Sequence, residues 1–280
     1  MNFAHHVGPK IHTAEHSPWE IFSDILPRDA IQVIVRETNK YAEQQMRGSN
    51  LGHYSRAHQW RPVDEDDINV FIGLVLFMGM VKLPAYDLYW ANNWMLNLGM
   101  KGVMPRDRFL AILSFLHCAD NEQMPQRGHA NYDRLYKVRH VMDLCVNSWQ
   151  EACSPPREVS FDETVVGFKG TTSMKNYNPQ KPHKWGLTVW SIADPISGYV
   201  YYWDVYTGKA QQVDPRTQNN DHMGTVHWLT WDALEKAGML NNEHHVFLMF
   251  PSPILSQYIG SCTLVCVQTE IASAWISSTS

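Results

Sequence analysis

Residues 159–209, running from VSFDETVVGFKG to YYWDVYTGK, constrain this chain more than any other stretch. Val159 to Phe168 alternates apolar and polar residues at its start and is rich in Val and Phe, the pattern of a strand. It carries an adjacent acidic pair, Asp162 and Glu163, with apolar neighbours. From Thr164 to Ala193 no acidic residue follows, while Lys169, Lys175, Lys181 and Lys184 all fall in that span. A strand carboxylate followed by a basic connector suits the handling of a polyanion through a metal ion: the acid holds the cation and the lysines hold phosphates. An ordinary hairpin with a solvated lysine loop has the same charge pattern. The pattern alone leaves both open.

Composition narrows the class. The chain has 280 residues, a hydrophobic fraction of 44% and eleven Trp, which fits a folded protein of one or two domains. Its formal net charge of −5 sits badly with a nucleic-acid binder, so any DNA affinity must come from a local patch such as the lysine connector. The five cysteines are odd in number and lack CxxC pairing, as expected of thiols in a reducing compartment. Cys262 and Cys266 have zinc-ligand spacing but no second pair follows. The opening MNFAHHVGPK has no basic start leading into an apolar run, so no secretory signal is expected.

Taken in order, residues 1–17 are polar and His-rich and read as a flexible tail. Trp19 to Leu26 and Arg28 to Arg47 read as amphipathic helices separated by Pro27. Gly48 to Trp60 reads as a loop. Asp64 is a candidate N-cap, with Glu65, Asp66 and Asp67 at the positive end of the next helix dipole. The body of that helix, Ile68 to Val81, is apolar nearly all round. Fourteen uncharged residues are too few to span a bilayer, so a buried core helix is expected and no membrane partner. Pro105 starts a helix with Phe109, Ile112, Leu113 and Leu116 on one face. Asp133 to Glu151 is a further helix with the stripe Leu135, Val138, Val141, Met142 and Cys145. Trp185 to Ala193 and Tyr199 to Tyr206 are strands joined by a turn at Asp194 to Gly198. Met223 to Leu240 reads as a helix ended by Asn241 and Asn242, and Val246 to Phe250 as a buried strand.

The rare elements resemble the core of piggyBac-type transposases and the proteins derived from them. They are Asp162-Glu163 followed after four residues by Phe168-Lys169-Gly170, the run Tyr177-x-Pro179-x-Lys181-Pro182-x-Lys184-Trp185-Gly186, and Val205-Tyr206-Thr207-Gly208. The likeness extends upstream through Gly79, Lys82, Pro84, Tyr89 and Trp90 and downstream to about Pro253. It implies an α+β fold: an N-terminal helical region, then a partial ribonuclease-H-like mixed sheet in the order β-β-β-α-β. It implies tail residues 1–17, a helical dimerisation and DNA-binding-like region at 18–154, a DDE core at 155–253 and a degenerate tail at 254–280. It also implies a nuclear protein that partners DNA and forms a homodimer. In that family three Asp residues bind divalent metal, typically Mg2+, and cut and rejoin DNA.

By motif Asp162 matches the first family aspartate, a metal ligand. The second is expected in a run like His-His-Val-Phe-x-Asp, where this chain reads His244, His245, Val246, Phe247, Leu248, Met249. Methionine cannot hold a hard cation, which wants oxygen ligands. The third family aspartate has no counterpart, and from Pro251 onward Glu270 is the only charged residue. Asp204 is the best placed substitute acid, ahead of Asp194 and Asp232, and Glu163 has the wrong alternation to share a face with Asp162. The expectation is a truncated, transposase-derived protein with a vestigial catalytic Asp162, weak or absent metal binding and no strand cutting. DNA contacts fall to Lys169, Lys175, Lys181 and Lys184, with Tyr177 and Trp185 as stacking partners, although Trp185 reads first as a core residue. A domesticated DNA- or chromatin-binding module and an active transposase or nuclease are the competing readings.

Overall fold

The strand that carries Asp162 runs from Glu158 to Gly167, and its inward residues Val159 and Phe161 are fully buried. The computed structural model describes residues 7–11, 15–48, 60–93, 95–179, 181, 184–208, 225–240, 244–248 and 263–266. The chain divides into two units, residues 26–145 and residues 1–25 with 146–280.

In the second unit the strands are β1 (Gly8–Pro9), β2 (Cys153–Ser154), β3 (Glu158–Gly167), β4 (Lys175–Tyr177), β5 (Trp185–Ala193), β6 (Val200–Val205), β7 (His245–Leu248) and β8 (Thr263–Cys266). β3 pairs antiparallel with β5 and parallel with β7, and β7 pairs parallel with β8. The far side of β5 is shared: β4 pairs with its first residues and β6 with its last. With α8 (Thr225–Lys236) between β6 and β7, the expected β-β-β-α-β order is present in a mixed six-stranded sheet. β4 and β8 were not anticipated, the first because three residues carry no periodicity. β8 falls within residues 254–280, and β1, within residues 1–17, pairs antiparallel with β2.

Burial follows the pleat. Val159, Phe161, Ile192, Val246 and Leu248 form the sheet's contribution to a core that α8 completes with Leu229, Ala233 and Leu234. α8 ends at Lys236, four residues before Leu240. Gly238 adopts a left-handed φ of 67°, its N–H donates to the Glu235 carbonyl, and the Met239 N–H donates to Leu234. This is a Schellman stop, sealed by Met239 and Leu234, both buried. The helix thus stops at the glycine, ahead of the expected stop at Asn241 and Asn242.

The other unit holds α2 (Arg28–Gly48), α3 (Glu65–Met80), the short helices α4 (Tyr86–Tyr89) and α5 (Met100–Val103), α6 (Arg106–Phe115) and the start of α7 (Tyr136–Ala152). α1 (Pro18–Ile25) belongs with the sheet unit. Asp64 caps α3 as expected, its carboxylate accepting the Asp67 N–H at 2.8 Å. The expectation that α3 is buried all round is corrected. Ile68, Phe71 and Leu74 are buried, but Val75, Leu76 and Met80 are 44%, 54% and 77% exposed. Only one side of α3 meets the cluster formed with Ile31, Ile34, Phe109 and Ile112. Leu113 and Val138, expected as stripe residues of their helices, are exposed as well. No helix among the described residues is long and apolar enough to cross a membrane.

A loop in this unit is tied down by charge. Asp120 accepts from Lys40 Nζ at 2.6 Å, Gln44 Nε2 at 3.2 Å and the Glu122 N–H at 3.0 Å. The Lys40 contact, then the Glu122 amide, hold its carboxyl below the ordinary Asp range. A group whose folded value is depressed stabilises fully above its unfolded value, about 3.9, and that stability is lost as pH falls through the folded value. The thermal stability of the protein is therefore expected to drop on acidification below about pH 4, and Asp120→Asn to flatten part of that drop. An acid limb identical in the variant would refute the assignment.

Candidate functional site

β3 holds Asp162 in a half-buried position, with Oδ1 accepting the Glu163 N–H at 2.7 Å. The β3–β5–β6 register sets its neighbours. Asp162 stands opposite Ser191, which stands opposite Trp203, while Glu163 stands opposite Trp190, which stands opposite Asp204. Directly paired residues point to the same face and successive ones alternate. Asp162, Ser191 and Trp203 therefore share one face, and Glu163, Trp190 and Asp204 the other. Glu163 is excluded as expected. Asp204, the best substitute by sequence, is excluded too: it is buried on the opposite face, with Oδ1 accepting the Val205 N–H.

The other two candidate acids, Asp194 and Asp232, have other work. Asp194 folds the β5–β6 turn, its carboxylate accepting from the Ile196 N–H at 2.8 Å and Ser197 Oγ at 2.5 Å. Asp232 pairs with Lys236 Nζ at 2.7 Å along α8. The parallel register of β3 with β7 runs to Phe161 opposite Leu248. Met249, the expected place of the second acid, lies outside the described residues. Among the described residues no three His, Cys, Asp or Glu side chains are grouped to hold a metal ion. A divalent cation wants several oxygens, and the described donor set around Asp162 does not fit one.

The connector is a hairpin closed by the Asn178 N–H on the Lys184 carbonyl at 2.8 Å, with β4 against the start of β5. Lys169 and Lys184 are exposed and Lys175 is half-buried, whereas Lys181 turns back and donates to the Glu163 carbonyl at 3.1 Å. Trp185 is not core: it is 56% exposed, beside Tyr177 at 53%. The two stand directly opposite each other across the β4–β5 pair, ring centroids 4.8 Å apart and tilted by 47°. Lys175 Nζ lies 5.8 Å from the Trp185 ring centroid. Register continues the alternation, Trp185–Leu187–Val189–Ser191, so this aromatic–basic patch lies on the same sheet face as Asp162. Sequence reading named the residues; the pairing that brings Tyr177 to Trp185 was not legible, because β4 exists only by its bonds to β5.

This geometry has relatives. Residues 17–249 match the family model described as Transposase IS4. The chain is 28% identical over 215 residues to the human PiggyBac transposable element-derived protein 3, covering 75% of this chain and 32% of that protein. It is 24% identical over 234 residues to the human PiggyBac transposable element-derived protein 2, covering 83% of this chain and 36% of that protein. The chain thus spans about a third of the length of these curated relatives. Its fold is similar to a chain in the cryo-EM structure of a piggyBac transposase synaptic complex with hairpin DNA. The TM-score is 0.76 at 21% identity, over 95% of this chain and 54% of that one.

Proposed function

The chain belongs to the piggyBac type of the Transposase IS4 family, and from that premise we propose that it is a transposase-derived protein that holds DNA without cutting it. One observation carries the reading: methionine stands at position 249, where the motif resemblance places the family's second metal-binding aspartate. Strand cutting by two cations needs carboxylates that converge on both. A thioether supplies neither the charge nor the hard oxygen that such a cation requires. The face positions of Glu163 and Asp204 and the engagement of Asp194 and Asp232 support the same reading, because none of these acids joins Asp162. Asp162 is then a vestige of the family site.

DNA is the proposed partner, held through the exposed Lys169 and Lys184 and the half-buried Lys175 at the β4–β5 hairpin, in a nuclear protein that pairs with a second copy. A net charge of −5 confines this affinity to the patch, and its salt dependence is correspondingly shallow. The test is a nicking assay on terminal-repeat DNA with magnesium or manganese, run beside a binding titration. The expected result is salt-dependent binding and no cleavage. Cleavage that Asp162→Ala abolishes would overturn the inactive reading, and the absence of any salt-dependent binding would overturn the DNA-holding one.

A further inference from the structure

Two large aromatic side chains that sit together, each with more than half its surface in water, form an exposed apolar patch of the kind that marks an interaction site. Tyr177 and Trp185 present such a surface on the β4–β5 pair, with a lysine over the Trp185 ring and Lys184 adjacent in the chain. The surrounding stretch, residues 164–193, contains four lysines and no acid. Exposed rings flanked in the chain only by positive charge complement a ligand that is flat, apolar on its faces and anionic along its edge. A nucleotide is such a ligand. Within a duplex both faces of each base are already stacked, whereas an unpaired base has a face to offer, and stacking on an aromatic side chain is tolerant of sequence. A basic groove alone would favour the denser charge of duplex DNA. The rings tip the preference the other way.

Resting on the DNA-holding reading above, we infer that Tyr177, Trp185 and Lys175 form a stacking platform for an unpaired nucleotide, so that single-stranded DNA is preferred over duplex at this hairpin. Lys175, placed at the Trp185 ring, reaches the phosphate of the stacked nucleotide, and Lys184 the phosphate beside it. The platform lies toward the Gly167 end of β3, further along the face that carries Asp162.

The experiment is fluorescence anisotropy of end-labelled oligothymidylate and of a mixed-sequence duplex of equal length, titrated with the full chain over a range of salt. Trp185→Ala is expected to weaken single-strand binding by about 10-fold, the loss of one stacked base, with little effect on the duplex. The salt slope is expected to stay unchanged in that variant, to fall by roughly 0.7 per lysine in Lys175→Ala and Lys184→Ala, and Trp185→Phe to recover most of the affinity. Because Trp185 is exposed, its variants fold; unchanged unfolding temperatures verify this. Single-strand affinity within about twofold of wild type in Trp185→Ala would overturn the platform. So would equal losses for strand and duplex, or a change in self-association without a change in DNA affinity, which would make the patch a protein interface. A wild-type chain that binds neither DNA would sink the DNA-holding reading itself, an outcome distinct from these.

Discussion

Gly186→Ala is expected to lower the unfolding temperature of the sheet unit by roughly 10 °C, the largest effect anticipated from any single methyl group here. Gly186 lies between two partners, opposite Gly167 on β3 and Asn176 on β4. A Cβ there would sit 2.3 Å from the Val166 carbonyl oxygen and 2.7 Å from Val165 Cγ1. The first of these is backbone, held by the sheet, and cannot swing aside. Relief requires the β3–β5 ladder to open, at a cost of about 3 kcal/mol or more. Gly170→Ala is the contrasting case. Its Cβ would meet the Phe168 ring at 2.6 Å, but that ring is 39% exposed and free to rotate away, so a small effect is expected. Thermal unfolding of both variants checks the pair. Equal effects would show that the close approach at Gly186 is not what sets its identity.

Arg108→Met is the second large effect, about 3 kcal/mol of stability lost from the helical unit. The Arg108 side chain is 8% exposed and its guanidinium donates to Asp67 Oδ2 at 2.6 Å. It also donates to the Arg61 carbonyl at 2.7 Å and the Pro62 carbonyl at 3.2 Å, with the Trp60 ring 5.2 Å away. Methionine keeps much of the volume and removes every donor. Asp67, itself 12% exposed, would then retain only the long 3.4 Å contact to Arg61, whose side chain is 68% exposed and weakly placed to replace the lost partner. A buried carboxylate stripped of its partner is the costly outcome, more than the net worth of the pair. Asp67→Asn combined with Arg108→Met should therefore cost less than the sum of the single changes. Denaturant unfolding measures this, and full additivity would show that the two groups do not act together.

Sequence by itself determined the elements whose signals are local. Asp64 followed by three acids starts α3 where expected, since capping needs only the next few residues. Alternation placed β3 and β5, and the spacing of Asp162-Glu163, Phe168-Lys169-Gly170 and the Tyr177–Gly186 run was specific enough to reach the family. Tertiary structure alone decided the rest, because pairing and burial depend on residues far along the chain. The register of β5 against β3 and β6 put Asp204 across the sheet from Asp162. Among the described residues one side of α3 has no packing neighbour, and Leu76 and Met80 stay in water, though no residue between Ile68 and Val81 carries charge. Lys181, indistinguishable in sequence from its three neighbours, is drawn to a strand carbonyl eighteen residues away. Trp185 shows the limit most plainly: its hydrophobicity predicts the core, but its partner across the strand is Tyr177 at an edge, and the edge keeps both rings in solvent.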